Sequence, residues 1–427
     1  MHIQLIIPRD LTYRAHGGLF RRGTAYPALT LTTLAGLVPD DIEAEISLLD
    51  EGVDDHPVDY TADVIGITVL TAAAPRAYEI ADEARRRGVH VALGGYHVTN
   101  CPEEAAAHAD TVFVGPAEDT WPRFLRDWRS GRAATRYESQ RLPDLSDRPR
   151  PRRDLLKRGA YLPCATLFAS RGCASRCSFC NVSLHLQGRR LQRPVAEVVA
   201  EIEELGNRQV IFLDPNFHGD RDYARALMRA LRGRGLRWGC LTTVGVGRDR
   251  AMLRLMQESG CLGVLVGFES LCGASLLEMK KPGNDIADYL SAVSGFREHG
   301  MSVLGCFVFG FDNDTPDVFA RTVDFVKRSR MDLARYAVLT PFPGTPLHAR
   351  LEGEGRIIGC ELQDYDCQHV VFRPRGMSVA QLQEGYRYAW RRTYGFLDIA
   401  RRLWRTRSHL GLALMTNLAM ARFCRTL

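Results

Sequence analysis

The sequence lacks any apolar run as long as the roughly 20 residues that a membrane-spanning helix requires. The apolar stretch Leu410–Met420 is short and is interrupted by Thr416 and Asn417. No positively charged region precedes the apolar segment Met1–Pro8, so the sequence does not predict a secretory signal peptide. We therefore expect no transmembrane segment and a cytoplasmic protein.

A framework of disulfide bonds is absent as well. Nine of the twelve cysteines are scattered singly, many of them inside apolar runs such as Leu304–Phe309. We interpret these nine as small buried hydrophobic residues. Such cysteine usage is typical of a reducing compartment.

Lysine is scarce, because arginine greatly outnumbers it among the 56 basic residues. The 50 acidic residues leave a net charge of only +6. We interpret this mild excess as a bias in composition rather than a nucleic-acid-binding surface, so no nucleic-acid partner is expected. A chain of 427 residues with 45% hydrophobic residues has room for two or three domains.

The remaining three cysteines, Cys173, Cys177 and Cys180, form a Cys-x3-Cys-x2-Cys motif. A 4Fe–4S cluster normally takes four thiolates, so a loop that supplies three leaves one iron open to a small molecule. The alternative is a zinc site with His185 as the fourth ligand. Structural zinc sites more often show paired Cys-x2-Cys spacings, and the sequence contains no second pair.

Residues 1–130 alternate between apolar runs of strand length and helical segments, which predicts a doubly wound parallel sheet. The predicted strands are His2–Pro8, Ala44–Leu49, Val64–Leu70, Val89–Leu93 and Thr111–Gly115. The predicted helices lie near Thr30–Leu37, Ala74–Arg87, Pro102–Ala107 and Glu118–Trp128. Such sheets bind ligands at the carboxyl ends of their strands.

Two glycine-containing loops, Gly94–Thr99 and Gly115–Trp121, follow the last two of these strands. Glycine lets the backbone approach a ligand closely, and a following helix start favours an anion. The same glycines would also serve a simple turn. Residues 131–159 follow as a predicted linker, in which the alternating prolines and arginines of Arg148–Arg153 favour an extended, solvated chain.

Residues 160–346 contain six further strands with helices between them, which predicts a partial (β/α)6 barrel. The predicted strands are Ala165–Ser170, Gln209–Leu213, Trp238–Val244, Gly263–Glu269, Ser302–Phe309 and Arg335–Thr340. The first strand runs into the cysteine loop, and barrel enzymes carry their chemistry at this end of the strands. Residues 347–427 are predicted to form a helical C-terminal region that packs on the barrel, with a membrane-surface position as the alternative for Leu410–Met420.

The cysteine motif, with Phe179 before its last cysteine, resembles that of the radical S-adenosylmethionine (SAM) enzymes. The resemblance implies that the open iron binds the amino and carboxylate groups of SAM, which is cleaved to a 5′-deoxyadenosyl radical. It also assigns SAM contacts to strand-end residues of the barrel. These are Asp214 and Asn216, Glu269 and Ser270 of a Gly-x-Glu-Ser element, and Lys280 of the pair Lys280–Lys281.

Each of these assignments has a plainer interpretation. Asp214 and Asn216 would suit a helix-capping loop, and the lysines would suit a helix C-terminus. For Glu269 the plainer interpretation is a solvated acid at a strand end, but the preceding run is wholly apolar, and a carboxylate that accepts hydrogen bonds from two ribose hydroxyls would explain an acid here.

The first domain resembles the cobalamin-binding domain that precedes many radical SAM barrels. The residues that carry this resemblance, and the implied cobalamin contacts, are Gly94, Gly95, His97, Thr99, Gly115 and Glu118. The chain departs from the family pattern at Tyr96, Pro116 and Ala117. It also lacks an Asp-x-His-x-x-Gly element, since the nearest segment, Ala15–Gly18, does not match.

Together these features predict a radical SAM enzyme that uses a 4Fe–4S cluster, SAM and cobalamin. The expected reaction transfers a methyl group to an unactivated carbon of a small metabolite, with flavodoxin or ferredoxin as the electron donor. One alternative is a cobalamin-free dehydratase, epimerase or rearrangement enzyme in which the first domain is a scaffold. A remote alternative is a zinc-stabilised binding protein.

Overall fold

The computed structural model describes residues 1–9, 25–139, 141–186, 188–281, 283–404 and 410–427. The segment Ala15–Gly18, considered above for a lower cobalamin ligand, lies outside these residues. Within them the strands form two six-stranded parallel sheets and one short antiparallel ribbon.

The first sheet has the order β2-β1-β3-β4-β5-β6, and all its neighbouring strands are parallel. Its strands are β1 His2–Ile7, β2 Glu45–Asp50, β3 Val64–Thr68, β4 His90–Gly94, β5 Thr111–Val114 and β6 Arg136–Glu138. The predicted doubly wound sheet is therefore confirmed. Strand β6 was not predicted; it lies within residues 131–159 and pairs with β5.

Helices cover both faces of this sheet. They are Leu29–Gly36, Ala74–Arg86, Tyr96–Asn100, Pro102–Ala106 and Thr120–Arg129. Ala74–Arg86 buries Ala77, Ile80, Ala81 and Ala84, a helical spacing that places its small residues against the sheet. The helical turn Tyr96–Asn100 replaces part of a predicted loop.

The arginines of Arg148–Arg153 are not free in solvent as the prolines suggested. Arg148 pairs with Asp119, and Arg150 pairs with Glu204. Arg153 donates to the buried carboxylate of Glu201 at 2.7 Å. These contacts attach the segment to both halves of the chain, so the expectation of a purely solvated linker is corrected.

The second sheet has the order β14-β13-β12-β11-β10-β7 and is also wholly parallel. Its strands are β7 Ala165–Leu167, β10 Gln209–Phe212, β11 Arg237–Thr242, β12 Cys261–Glu269, β13 Ser302–Phe309 and β14 Leu333–Val338. Strands β8 Ser170–Arg171 and β9 Leu191–Gln192 form the antiparallel ribbon. The six predicted barrel strands are confirmed.

Helices lie between these strands and pack on the outside of the sheet. They are Val182–His185, Val195–Leu205, Arg221–Leu231, Arg250–Glu258, Gly273–Glu278, Tyr289–Glu298 and Asp317–Ser329. The C-terminal region adds Pro346–Gly353, Val379–Thr393, Phe396–Leu403 and Leu410–Phe423. Among the described helices, none combines the length and apolar character needed to cross a bilayer.

Candidate active site

The carboxyl ends of the two parallel sheets meet. The turn Tyr96–Asn100, which follows β4, contacts the cysteine loop and the loop after β14. Asn100 Nδ2 donates to Asn181 Oδ1 at 3.3 Å and to the carbonyl of Pro343 at 2.7 Å. The Tyr96 ring stands edge-on to the His185 ring, with 4.3 Å between their centroids. Because ligands bind at the carboxyl ends of parallel strands, both candidate sites open toward one cleft.

An ion pair joins the two halves next to the cysteine motif. Glu118, which follows β5, pairs through Oε1 with Arg171, two residues before Cys173. The Glu118 side chain is only 7% exposed, and its Oε2 is buried without a hydrogen-bond partner. A cavity of about 170 Å³ beside this pair is lined by residues of both halves, including Leu34 and Phe168. The junction is therefore incompletely filled and has an unsatisfied acceptor.

The three motif cysteines share one neighbourhood. The pKa of Cys177 is raised to about 11, chiefly by burial; Lys281 opposes this shift, and the nearby Cys180, Glu269 and Cys173 add to it. Cys177 therefore lies close to the two other thiols and to the end of β12. All twelve cysteines lie in the described part of the chain, and none of them forms a disulfide there.

Barrel loops hold the cysteine loop in place. The amide of Ser178 donates to the carbonyl of Met279 at 3.1 Å, and the amide of Leu347 donates to the carbonyl of Ser178 at 2.9 Å. Gly172 has a φ of +78°, and a Cβ there would collide with the carbonyl oxygen of Arg189. Glycine thus lets the chain turn tightly just before Cys173.

Glu269 at the end of β12 is paired with a lysine. Its carboxylate accepts a hydrogen bond from Lys281 Nζ, which also donates to the carbonyl of Gly267 at 3.1 Å. Both side chains are nearly buried. Burial alone would lower the pKa of Lys281, but the charge of Glu269 and the hydrogen bond to it outweigh burial, so the pKa lies above its ordinary value.

The structure does not bring Lys280 to this pair. Lys280 is exposed and takes a left-handed φ of +54°, which turns the chain so that Lys281 faces Glu269. Glu269 is left-handed as well, with a φ of +64° at a break in the β12–β13 register. Such backbone outside the usual regions is concentrated at functional sites. A Cβ at Gly267 would collide with Glu269 Oε1, which explains the glycine of the Gly-x-Glu-Ser element.

Two of the predicted SAM contacts have internal roles. Ser270 is buried, and its Oγ accepts a hydrogen bond from the amide of Cys272 at 3.0 Å. Asp214 is fully buried and accepts hydrogen bonds from the amides of Ala169 at 3.0 Å and Ser170 at 2.5 Å. Burial raises the pKa of Asp214 to about 6, although these hydrogen bonds oppose the shift. The Asp214 carboxylate therefore secures the entry to the cysteine loop, and its assignment as a SAM contact stays a prediction.

Asn216 and Arg190 carry polar atoms that lack a protein partner. Asn216 Oδ1 and Arg190 Nη1 are both buried without a hydrogen bond. Arg190 is held by Nε to Ser170 Oγ at 3.2 Å and by Nη2 to the carbonyl of Phe217 at 2.9 Å. A Cβ at Gly219 would lie 3.1 Å from Asn216 Nδ2 and 2.5 Å from Arg190 Nη1, so the two side chains are neighbours. Buried polar groups are rarely left unsatisfied, so this acceptor and donor are available to a ligand.

Sequence reasoning missed Arg190. It lies ten residues beyond Cys180, and no motif marks it. The pairing of β8 with β9 brings it back to the strand end, because Ser170 is opposite Gln192 and Arg171 is opposite Leu191. A charged residue directly before a β-strand near the motif was the available signal.

Hydrogen bonds connect the two glycine loops of the first sheet. Thr99 Oγ1 donates to the carbonyl of Gly95 at 2.9 Å and accepts from the amide of Gly115 at 3.1 Å. Gly95 has a φ of +107°, and a Cβ there would lie 2.7 Å from the Val69 carbonyl oxygen. Gly94 and Gly115 have no such close neighbour. Thr99 therefore links the two glycine loops.

His97, a predicted cobalamin contact, turns into the first domain. Its side chain is fully buried, and Nε2 lies 3.3 Å from Glu104 Oε1, which also accepts from Tyr78 Oη. Burial lowers the pKa of His97, although Glu104 opposes this effect. We interpret His97 as a residue that secures the turn.

The barrel lumen is lined by small and apolar residues around one arginine. Gly267, Cys306 and Arg335 lie side by side on β12, β13 and β14, and all three are partly exposed. The residues that follow them in sequence, including Phe268, Phe307 and Tyr336, are buried on the other face. Gly267, Cys306 and Arg335 therefore face the lumen. Gly267 lies two residues before Glu269 on β12, so these residues lie next to Glu269 and deeper in the barrel.

Comparisons with known proteins agree with both halves of this site. Residues 15–125 match the B12 binding domain, residues 167–326 match the radical SAM superfamily, and residues 345–422 match a domain of unknown function. The chain is 29% identical over 395 residues to bacteriochlorophyllide d C-12(1)-methyltransferase of Chlorobaculum tepidum, covering 90% of this chain and 86% of the relative. It is 30% identical over 371 residues to the C-8(2)-methyltransferase of the same organism, covering 81% and 80%.

The fold also matches that of a solved structure. The radical SAM methyltransferase TsrM from Kitasatospora setae, with cobalamin and a [4Fe-4S] cluster bound, has a TM-score of 0.65 and 19% identity, covering 83% of this chain and 78% of TsrM. These matches set aside the zinc-stabilised binding protein. The chain belongs to the radical SAM enzymes with an N-terminal B12-binding domain, whose cofactors are a 4Fe–4S cluster, SAM and cobalamin.

Proposed function

We propose that this enzyme transfers a methyl group to an unactivated carbon of a small-molecule substrate. The observation that carries the proposal is the contact between the two strand-end regions. Tyr96 and Asn100 of the first domain lie on the cysteine loop, and Glu118 pairs with Arg171 beside Cys173. A methyl donor on one sheet and a radical generator on the other would then share one cleft.

We assign the cluster to Cys173, Cys177 and Cys180. The proximity of Cys177 to the other two thiols supports this donor set, because thiolates are the usual ligands of a 4Fe–4S cluster. The buried position of Cys177 would keep water from its side of a bound cluster. The two barrel-loop hydrogen bonds to Ser178 fix the position of these ligands.

We assign SAM to the adjoining strand ends. Glu269 would accept hydrogen bonds from the ribose hydroxyls, and the hydrogen bond from Lys281 would hold that carboxylate in position. Asn216 Oδ1 and Arg190 Nη1 are an unsatisfied acceptor and donor, which suits the amino and carboxylate groups of SAM.

We assign cobalamin to residues 1–130, at the cleft side of Gly94, Gly95, Gly115 and Glu118. The glycines allow a close approach of the ligand to the backbone. The unsatisfied Glu118 Oε2 offers an acceptor to a donor group of the corrin. When bound, the cluster supplies the electron that cleaves SAM and cobalamin supplies the methyl carrier.

The protein's own part is to bind, orient and exclude water. We propose residues 131–159 as the connection between domains, 160–346 as the barrel and 347–427 as the helical cover. The lumen around Gly267, Cys306 and Arg335 would take the substrate. Flavodoxin or ferredoxin in a reducing cytoplasm would supply the electron.

The products of SAM distinguish this reaction from its alternative. Methyl transfer consumes one SAM as methyl donor, which leaves S-adenosylhomocysteine, and a second as radical source, which leaves 5′-deoxyadenosine and methionine. Anaerobically reconstituted enzyme with a reductant, cobalamin and a metabolite extract should therefore form the two nucleoside products in about equal amounts. The Cys177→Ala variant is the control and should form no 5′-deoxyadenosine.

A different product ratio would overturn the proposal. Formation of 5′-deoxyadenosine without S-adenosylhomocysteine would favour the cobalamin-free dehydratase, epimerase or rearrangement enzyme. Deuterium from methyl-labelled SAM should appear in a single carbon-bound methyl group of the product, which also identifies the substrate.

A further inference from the structure

Two helices near the end of the chain expose large apolar side chains that no described residue covers. On Phe396–Leu403 and at its end, Phe396 is 80%, Leu397 68% and Trp404 74% exposed. On Leu410–Phe423, Leu414, Met415 and Leu418 are each more than 40% exposed. We call these six side chains the C-terminal apolar surface. Soluble proteins rarely expose so many large apolar side chains on adjacent elements, and such patches mark interaction sites.

The spacing of these side chains places them on the outer face of each helix. Phe396, Leu397 and Trp404 follow helical spacing, as do Leu414, Met415 and Leu418. The opposite faces are buried and anchored. Buried Arg402 donates to Asn417 Oδ1 at 2.8 Å and to the carbonyl of Asp332 at 3.1 Å. Since one arginine fixes both inner faces to the barrel, both outer faces point away from it.

The surface around these side chains is cationic. Arg391, Arg392, Arg401, Arg422 and Arg425 are all exposed. The sequence contains no acidic residue from 399 to 427. The last acid before this stretch, Asp398, is paired with Lys327 at 3.1 Å. A partner that covers this region must therefore bring apolar and anionic groups together.

We propose that the C-terminal apolar surface docks on an anionic lipid bilayer. Exposed Phe, Leu and Trp side chains would enter the interface, and the surrounding arginines would contact acidic headgroups. The helix Leu410–Phe423 has 14 residues and is therefore only about 21 Å long, too short to span a hydrocarbon core of about 30 Å. It would lie on the bilayer rather than cross it.

This position leaves the catalytic cleft accessible. Arg402 anchors the helix pair at Asp332, directly before β14 begins at Leu333. That is the amino end of the strands, whereas the cleft lies at their carboxyl ends. In the docked enzyme the cleft would therefore lie on the side away from the bilayer, where substrate and electron donor can reach it.

Flotation of the full-length protein with vesicles tests the proposal. We expect flotation with phosphatidylcholine vesicles that contain about one-fifth phosphatidylglycerol, and a loss of about tenfold or more with pure phosphatidylcholine. The triple variant Phe396→Ser, Leu397→Ser, Trp404→Ser should also lose about tenfold or more in affinity, because three apolar side chains no longer enter the interface. Leu277→Ser is the matched control, since Leu277 is 82% exposed on a different helix and should not contribute.

A second set of variants separates the charges from the apolar contacts. Arg401→Gln, Arg422→Gln, Arg425→Gln should abolish the preference for phosphatidylglycerol, and high salt should have the same effect. Absence of flotation by the unaltered protein would overturn the proposal, as would equal losses for Leu277→Ser and the triple variant. A dimer in solution that the triple variant converts to a monomer, without vesicle binding, would instead identify a second copy as the occupant. Circular dichroism should show that all variants remain folded.

Discussion

The loops at the carboxyl ends of the two sheets differ in how far their polar groups bond to one another. In the first sheet, Thr99 bonds to both Gly95 and Gly115, so the two glycine loops satisfy each other. In the second sheet, Asn216 Oδ1 and Arg190 Nη1 are buried without a partner. The glycine loops of the first edge are therefore linked to each other, with Glu118 Oε2 left unsatisfied beside them, whereas the second edge holds a neighbouring acceptor and donor in position for a ligand.

This difference predicts where substitutions act. A change in the satisfied loops of the first sheet alters the fold first and ligand binding as a consequence. A change at the unsatisfied atoms of the second sheet alters ligand affinity and has little effect on the folded apoprotein. Cluster ligands are the extreme case, since the cluster depends wholly on its thiolates.

The largest effect is expected at the cluster. Replacing Cys173, Cys177 and Cys180 with Ala should reduce iron from about four atoms per reconstituted chain to none, and should abolish SAM cleavage. Cys272→Ala is the control and should retain iron, because Cys272 lies outside the motif. Iron retained by the triple variant would show that other residues hold the cluster.

Gly95→Ala should destabilise the first domain more than Gly88→Ala does. Both glycines have positive φ, at +107° and +79°, but only the Gly95 Cβ would meet backbone, 2.7 Å from the Val69 carbonyl oxygen. We expect about 1 kcal/mol for Gly88→Ala and a further 1–3 kcal/mol or so for Gly95→Ala. Urea denaturation of the apoprotein measures both values. Equal losses would contradict the close packing of this turn.

Lys281→Met and Glu269→Ala should each weaken SAM binding about tenfold or more, because hydrogen bonds to a charged group contribute on the order of 1.5–3 kcal/mol. Lys280→Met is the matched control. It removes the same charge one residue away, from an exposed side chain, and should leave the dissociation constant unchanged. Calorimetry on the cluster-loaded protein measures the dissociation constant of SAM for each variant. A larger increase for Lys280→Met than for Lys281→Met would assign the SAM site to Lys280 instead.

Asn216→Ala should weaken SAM binding by about fivefold, the effect of one neutral hydrogen bond of about 1 kcal/mol. The free energy of unfolding of the apoprotein should hardly change, because Asn216 Oδ1 has no protein partner. Asp214→Ala should lower the free energy of unfolding of the apoprotein, because it leaves the amides of Ala169 and Ser170 without their acceptors. If Asn216→Ala destabilised the apoprotein as much as Asp214→Ala, the comparison between the two edges would be wrong.

Near neutral pH the smallest effect is that of His218, and it grows as the pH falls. Burial lowers the pKa of His218 to about 3, while its Nδ1 lies 2.9 Å from Thr242 Oγ1. Between about pH 6.5 and 3 the unfolded chain binds a proton that the folded chain does not, so stability falls as the pH falls through this window. The contribution is at most roughly 1.4 kcal/mol per pH unit. Denaturation at several pH values should show a smaller slope for His218→Gln, and an unchanged slope would contradict a buried neutral His218.

Local patterns were sufficient for the elements and for the cysteine motif. The alternation of apolar strands and helices predicted eleven of the twelve strands of the two parallel sheets, because burial on both faces produces continuous apolar runs. Strand β6, Arg136–Glu138, was not predicted because it is short and charged and lies at the edge of the sheet. Gly-x-Glu-Ser correctly marked the end of β12, where the glycine leaves room for the carboxylate and the lysine beside it.

The tertiary structure alone decided which side chains meet. Adjacent lysines are equivalent in sequence, and only the left-handed φ of Lys280 turns Lys281 toward Glu269. Asp214 and Asn216 share one loop, yet the first is used by the amides of the cysteine loop and the second is not. The sequence by itself determined the two sheets, the cysteine spacing and the glycine turns, since each depends on residues within one element or loop. Three features depend instead on contacts between distant segments, which only the packing of the whole chain establishes. They are the approach of the two sheet edges, the Glu118–Arg171 pair and the position of Arg190.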